Sequence, residues 1–252
     1  MVQIRKLISP NFNDRAGGVQ PSIIVLHYTG TDTAQEAEDY YMGVKTHGIA
    51  GRVSPHYMID RSGAITQFVD ECKRAWHAGQ AWWGGRDDIN SHSIGIELVN
   101  PGHDRTYIPF TNDQMMALAD LMRDILSRNP IPAWNILGHS DISPARSRNK
   151  PDPGEKLDWE WLAVQGIGLF PQPEADDYTM ADVLYADRAG LRQGLSAYGY
   201  DPRVSDEEAI TAFQRHFQAE AHHCGVAGIP DRETGARLHW LLQRKSNLCN
   251  RP

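Results

Sequence analysis

The feature that most constrains this chain is a short β-branched run that stops on a histidine. Ser22-Ile23-Ile24-Val25-Leu26 follows Pro21 and ends at His27-Tyr28-Thr29-Gly30. An unbroken apolar run of this length, bounded by turn-forming residues, reads as a buried strand. It delivers His27 at its end.

Other segments build around it. Tyr57 to Asp60 alternates into a strand, Arg61-Ser62-Gly63 turns, and Ile65 to Val69 returns. Ile94-Gly95-Ile96-Glu97-Leu98-Val99 is a further strand with a carboxylate inside it, and Ile136-Leu137 is a short strand ending at Gly138-His139. Thr33-x-x-Glu36 opens a helix towards Tyr41 in capping-box style. Thr111-x-x-Gln114 caps another, with Met115, Leu118, Ala119, Met122, Ile125 and Leu126 at the three-and-four spacing of one buried face. Asn129-Pro130 ends that helix, and Leu157 to Val164 closes the region. Strands alternating with helices make this an α/β domain.

Pro171-Gln172-Pro173-Glu174-Ala175-Asp176-Asp177 reads as a linker. It divides the chain into residues 1–172 and a helical tail, 173–252. In the tail, Asp182 to Tyr198 reads as one helix. Ser205-x-x-Glu208 caps a second, with Ile210, Phe213 and Phe217 on one face, and a third runs from about Thr234 to Leu242.

Of the 252 residues, 40% are apolar, enough for a sizeable core, and the net charge is −7. An acidic chain is a poor general partner for nucleic acid or for an anionic wall surface. No apolar stretch is long enough for a signal peptide or a bilayer span, so the expected location is the cytoplasm, with no membrane partner. Cys72, Cys224 and Cys249 are odd in number and not at CxxC spacing, which suits reduced thiols. The oligomeric state is left open.

Three residues stand out for chemistry. His27 and His139 each sit just past an apolar strand, and Asp152 is stiffened between Pro151 and Pro153. Two imidazoles and a carboxylate suit zinc, with a fourth position free for water. Taken singly, each has an ordinary structural alternative, and the spacing is not a local HExxH. Glu97 in an apolar strand needs a partner or a purpose. It is a general base aimed at the metal site, or an edge-facing carboxylate in a half-exposed strand. Lys150 is an oxyanion-stabilising ammonium or a solvated loop residue.

Val25-Leu26-His27-Tyr28-Thr29, Ser54-Pro55-His56-Tyr57, Arg74-Ala75-Trp76-His77-Ala78-Gly79, Ser93-Ile94-Gly95-Ile96-Glu97-Leu98, and Gly138-His139-Ser140-Asp141 with Lys150-Pro151-Asp152-Pro153-Gly154 occur in that order. Together they resemble the type 2 family of N-acetylmuramoyl-L-alanine amidases, over about residues 9 to 165. The resemblance implies a mixed central β-sheet flanked by helices, a fold shared with T7-type lysozymes and peptidoglycan recognition proteins. It implies one zinc per chain held by His27, His139 and Asp152. It also implies Glu97 as catalytic glutamate, Lys150 against the scissile carbonyl, and a muropeptide or peptidoglycan fragment as substrate. His77 matches a cleft-lining position, Trp76 is its neighbour, and Arg52 aligns with a residue contacting the muramic side. His56, on a strand next to the site, is read as structural or as a support behind the site residues. The loop between Asp141 and Lys150 is longer than the resemblance implies, while Lys-x-Asp-Pro-Gly is intact.

The tail resembles a three-helix peptidoglycan-binding module, through Leu191-Arg192-Gln193-Gly194-Leu195, Ala212-Phe213-Gln214-Arg215-His216-Phe217 and Thr234-Gly235-Ala236-Arg237-Leu238. His222-His223-Cys224 is foreign to that pattern and raises the thought of a second metal site. The implied role is a cytosolic recycling amidase. A wall-acting amidase or phage lysin of the same chemistry and a non-catalytic recognition protein are the alternatives. All five chemical positions precede the linker, so removal of the tail from about Asp177 is expected to leave the site intact.

Overall fold

The computed structural model describes residues 3–45, 52–145, 150–185 and 187–249. In chain order the elements are β1 (Ile4–Lys6), β2 (Phe12–Asp14), β3 (Ile23–Tyr28), α1 (Ala34–Tyr41), β4 (Tyr57–Ile59), β5 (Ile65–Gln67), β6 (Lys73–Ala75), α2 (Ile89–His92), β7 (Ser93–Leu98), α3 (Asn112–Arg128), β8 (Ile136–Gly138), α4 (His139–Ile142) and α5 (Trp159–Val164). The tail adds α6 (Ala175–Leu184), α7 (Arg188–Tyr198), α8 (Asp206–Phe217), α9 (Ala219–His223) and α10 (Arg232–Cys249).

A six-stranded mixed sheet runs β1-β5-β4-β7-β3-β8, and β2 pairs with β6 in a separate ribbon. The inner strands β4, β7, β3 and β8 are parallel, with His27 in register with Glu97. Parallel alignment sends the carboxyl ends of β3, β7 and β8 to one edge, the usual place for a site in an open α/β sheet.

Strand alternation assigns the two faces. Ile24, Leu26, Ile94, Ile96 and Leu98 meet α3 and α5 in one core. Full burial of each such side chain contributes about 1.5–3 kcal/mol. Thr111 and Gln114 form the complete capping box that starts α3. Thr33 accepts from the Glu36 N–H at the start of α1, while the Glu36 carboxylate reaches the Asp32 N–H instead. Ile23, Val25 and Leu137, on the other face, share a second core with Leu191, Leu195, Tyr198, Phe213, Phe217, Leu238 and Leu241 of the tail.

The tail differs from its sequence reading in three ways. The stretch read as a linker is coil only as far as Glu174, because the Asp177 carboxylate accepts the Glu174 N–H and opens α6. The helix read over Asp182–Tyr198 is two, α6 and α7, since Asp187 accepts from the Gly190 N–H and starts a new N-terminus. The three expected helices are joined by α6 and the short α9 among the described residues. No helix is long and apolar enough to cross a membrane among the described residues.

Candidate active site

His27 is the fifth residue of β3 and lies on the face away from α3, with 1% exposure. His139 opens the turn α4 directly after β8, and Asp152 approaches from the loop beyond it. His27 Nδ1 is 3.0 Å from His139 Nδ1, and Asp152 Oδ2 lies 2.9 Å from the first and 3.0 Å from the second. All three residues are buried, and they are the one metal-competent cluster among the described residues.

The surrounding hydrogen bonds decide which ring atoms carry protons. Ser93 Oγ donates to the Ile89 carbonyl at 2.7 Å, so it must accept from His77 Nε2–H at 3.1 Å. His77 Nδ1 is then a bare acceptor, taking His27 Nε2–H at 3.0 Å. His139 Nε2–H donates to the Ala78 carbonyl at 3.2 Å. Both histidines are thereby left with a lone pair on Nδ1, and both lone pairs converge on a carboxylate oxygen. Three electron-rich atoms in contact suit a shared cation. Zinc–ligand distances of about 2.0–2.2 Å give tetrahedral ligand–ligand separations of roughly 3.3 Å, close to the triangle here.

Burial lowers the His27 pKa to about 4, against the pull of its bond to Asp152. Burial pushes the Asp152 carboxyl up, but the two histidines outweigh it and hold the carboxyl far below its ordinary value. His27 is thus neutral and Asp152 ionised at neutral pH, the forms in which each can bind a metal. The His77 ring lies on the backbone of β7, and a Cβ at Gly95 would sit 2.4 Å from it. That glycine within a strand marks the close approach.

Glu97, directly across from His27, projects from the same face of the sheet. Its Oε2 is buried and has no hydrogen-bond partner among the described residues. Burial, then the Asp152 charge, raise its pKa well above the ordinary value, while Lys150 and the Tyr41 hydroxyl draw it down. The cleft over these groups has a volume of about 290 Å³, and its walls include Tyr28, Tyr41, Trp76, Arg105 and Lys150.

The sequence-derived residues come out unequally. His27, His139 and Asp152 converge, and Glu97 and Lys150 face the same cleft. Trp76 lines it and is anchored to Asn13 Oδ1 through its indole N–H at 2.6 Å. His77 was expected only to line the cleft; it does, but both ring nitrogens are committed to Ser93 and His27. Arg52 is exposed and is not among the lining residues, although its neighbour Val53 is. His56 is fully buried and accepts the Gly95 N–H, in keeping with its structural reading. His222 bonds the Thr211 carbonyl, Cys224 is exposed, and no metal cluster forms there among the described residues. Residues 146–149 of the long loop lie outside the described residues.

The sequence reading missed Tyr41 and Arg105. Tyr41 was seen only as a helix end, yet it is buried beside Glu97. Arg105 follows β7, the strand that carries Glu97, and pairs with Asp32 and Glu36 at the cleft wall. Position just beyond the carboxyl end of a parallel strand was the signal available for it.

Residues 17–155 match the profile of the N-acetylmuramoyl-L-alanine amidase family. The chain belongs to this family. It is 35% identical to N-acetylmuramoyl-L-alanine amidase AmiD of Escherichia coli, over 88% of this chain and 82% of that protein. It is 36% identical to 1,6-anhydro-N-acetylmuramyl-L-alanine amidase AmpD of Haemophilus influenzae, over 64% of this chain and 90% of that protein. Among solved structures, AmpDH3 of Pseudomonas aeruginosa superposes with a TM-score of 0.77 at 33% identity, covering 91% of this chain and 94% of the other. AmiD of E. coli, solved with the substrate anhydro-N-acetylmuramic acid-L-Ala-D-gamma-Glu-L-Lys, superposes at 0.72 and 31% identity, covering 93% and 98%. The amidase match ends before α5, whereas the likeness to AmiD and AmpDH3 takes in most of the tail as well.

Proposed function

We propose that this amidase hydrolyses the amide between N-acetylmuramic acid, including its 1,6-anhydro form, and L-alanine in peptidoglycan fragments. We further propose that zinc is its metal. The observation that carries this reading is the convergence of two lone-pair imidazole nitrogens and a carboxylate beside an unpartnered Glu97 oxygen. The substrate of AmiD supports the choice of amide.

Bound zinc would supply Lewis-acid polarisation of the scissile carbonyl and a lowered water pKa. The chain's own groups do the rest. Glu97 accepts a proton from the attacking water on Oε2, as a carboxylate of raised basicity is suited to do. The Lys150 ammonium faces the oxygen of the lactyl carbonyl as negative charge develops there. Glu97 then returns its proton to the departing alanine nitrogen. Trp76 walls the cleft, His77 orients His27, and Arg52 is assigned no direct contact. We keep the chemistry within residues 1–172 and treat 173–252 as a second topological unit.

A cytoplasmic recycling role is the biology we favour. Cys72, Cys224 and Cys249 are all free and exposed, which suits a reducing compartment, and the net charge of −7 gives no attraction to an anionic wall. Mass spectrometry of products from anhydro-muropeptides and from intact sacculi, with metal analysis of the purified protein, tests the reading. Release of the stem peptide at the L-alanine nitrogen from small fragments, with one zinc per chain, is expected. Faster digestion of sacculi would transfer the enzyme to wall lysis, and no cleavage of either would leave a recognition protein.

A further inference from the structure

The tail reaches the metal site through one buried carboxylate. Asp141 is fully buried and stands two residues after His139 in the same turn, α4. Its Oδ2 accepts the Gly138 N–H at 2.8 Å, closing the turn that begins with His139. Among the described residues, this is the one partner of the three that comes from residues 1–172. The Tyr200 hydroxyl, just past α7, donates to Oδ1 at 2.6 Å, and His216 on α8 donates from Nδ1 to Oδ2 at 2.7 Å. The His216 ring is itself fixed, stacked on Trp159 of α5 with centroids 3.7 Å apart. Tyr200 is edge-on to Trp83 at 5.1 Å, and the Gly84 N–H donates to the Gly199 carbonyl at 2.9 Å. Gly199 has φ +147°, and a Cβ there would meet the Trp83 ring at 2.7 Å.

From the catalytic side α4 is held at its far end and by its ligand ring. The Trp82 N–H bonds the Ile142 carbonyl at 2.8 Å, and His139 Nε2 bonds Ala78. The Ser140 N–H bonds the Asp152 carbonyl at 2.9 Å, so α4 couples two of the three metal donors. A rotation of this one turn would move His139 and Asp152 together. Two of the three groups that pin its buried carboxylate against such rotation come from the tail.

We propose that Tyr200 and His216 are positioning residues for the metal site: acting through Asp141, they fix the turn that carries His139, so the tail is part of the catalytic apparatus. This rests on the functional reading above, and it replaces the expectation that the tail can be removed without consequence for the site. Outer-layer partners of metal ligands typically account for 10–100-fold in metal affinity or activity when removed.

The test uses the full-length zinc-loaded protein and four variants, measured well below their melting temperatures. Tyr200→Phe deletes one hydroxyl, and His216→Leu deletes one N–H donor. His216→Asn keeps a donor near the Nδ1 position, and Leu195→Ala weakens the shared core without touching Asp141. Zinc release to a chromophoric chelator, the cobalt(II) absorption spectrum, kcat and KM are read for each. We expect Tyr200→Phe and His216→Leu to release zinc on the order of 10-fold faster or more, to change the cobalt spectrum, and to lose kcat at little change in KM. His216→Asn should restore most of the difference. Leu195→Ala should lower the melting temperature alone. Wild-type release rates and spectra in both deletion variants, whatever their melting temperatures, would overturn the proposal. So would equal effects in Leu195→Ala, which would reduce the contact to general stability. A wild-type protein that takes up no metal would instead defeat the functional reading on which the proposal stands.

Discussion

The site has two halves that are built differently. The half suited to hold metal is saturated with protein partners: Ser93 fixes His77, His77 fixes His27, Ala78 fixes His139, and both histidines meet Asp152. The half that reacts is left open. Among the described residues Glu97 Oε2 has no partner, and Lys150 is exposed at the cleft. A group that must keep one geometry is worth fixing through several bonds, because orientation lost there is lost on every turnover. A group that must exchange a proton needs access to water and substrate, and its burial raises its basicity.

The contrast makes different demands on mutants of each half. The largest effect belongs to the open half. Glu97→Gln should keep its zinc and its melting temperature while kcat falls on the order of 10²–10⁴-fold, because the amide cannot accept the proton. Metal analysis and steady-state kinetics on one preparation check this. A kcat within a few-fold of wild type at matched zinc would remove Glu97 from the mechanism. Lys150→Ala should follow, with kcat lower by about 10²–10³-fold and zinc again unchanged. Joint loss of zinc and rate would place Lys150 in the holding half instead.

The holding half should answer in the opposite way. Ser93→Ala frees His77 to rotate or to take the other tautomer, and zinc affinity should fall by about 10–100-fold. At saturating zinc much of kcat should return. Competition titration with a chelator gives the affinity, and a persistent loss of rate at full occupancy would show that Ser93 and His77 serve the reaction as well.

How much of this was legible beforehand depends on the range of the interaction. The strand ends that deliver His27 and His139 were readable because an apolar run and its polar stop lie side by side in the chain. Thr111 with Gln114 and Ser205 with Glu208 were readable for the same reason, and both form complete capping boxes. His77 was assigned by motif to the cleft, and its bond to a residue 50 positions earlier could not be seen. Gly95 within a strand offered the clue, since a missing side chain there had to make room for something. Tyr41 was hidden because its neighbour Glu97 belongs to another element entirely. Asp187 was passed over as a helix start, so one helix was read where α6 and α7 stand.

The smallest effect lies behind the holding half. His56 accepts the Gly95 N–H, and burial, aided by the Arg15 charge, lowers its pKa to about 3. The folded protein keeps this ring neutral while the unfolded chain protonates near pH 6.5, so folding stability must fall as pH drops below that value, and it recovers as pH rises. Between pH 7 and pH 5 the cost is about 2 kcal/mol. Urea titrations at both pH values should give a smaller difference for His56→Gln than for wild type, whatever that variant's absolute stability. An identical difference would mean that His56 is already charged in the native state.

The core beneath β3 draws side chains from both sides of the coil at residues 171–174. Two beads on a string would each melt at a temperature of their own. Here heat that loosens Leu195 or Phe213 of the tail also loosens Val25, two residues before His27 on the same side of the strand. The catalytic edge and the helices behind it share that core, so a single unfolding transition is expected rather than two.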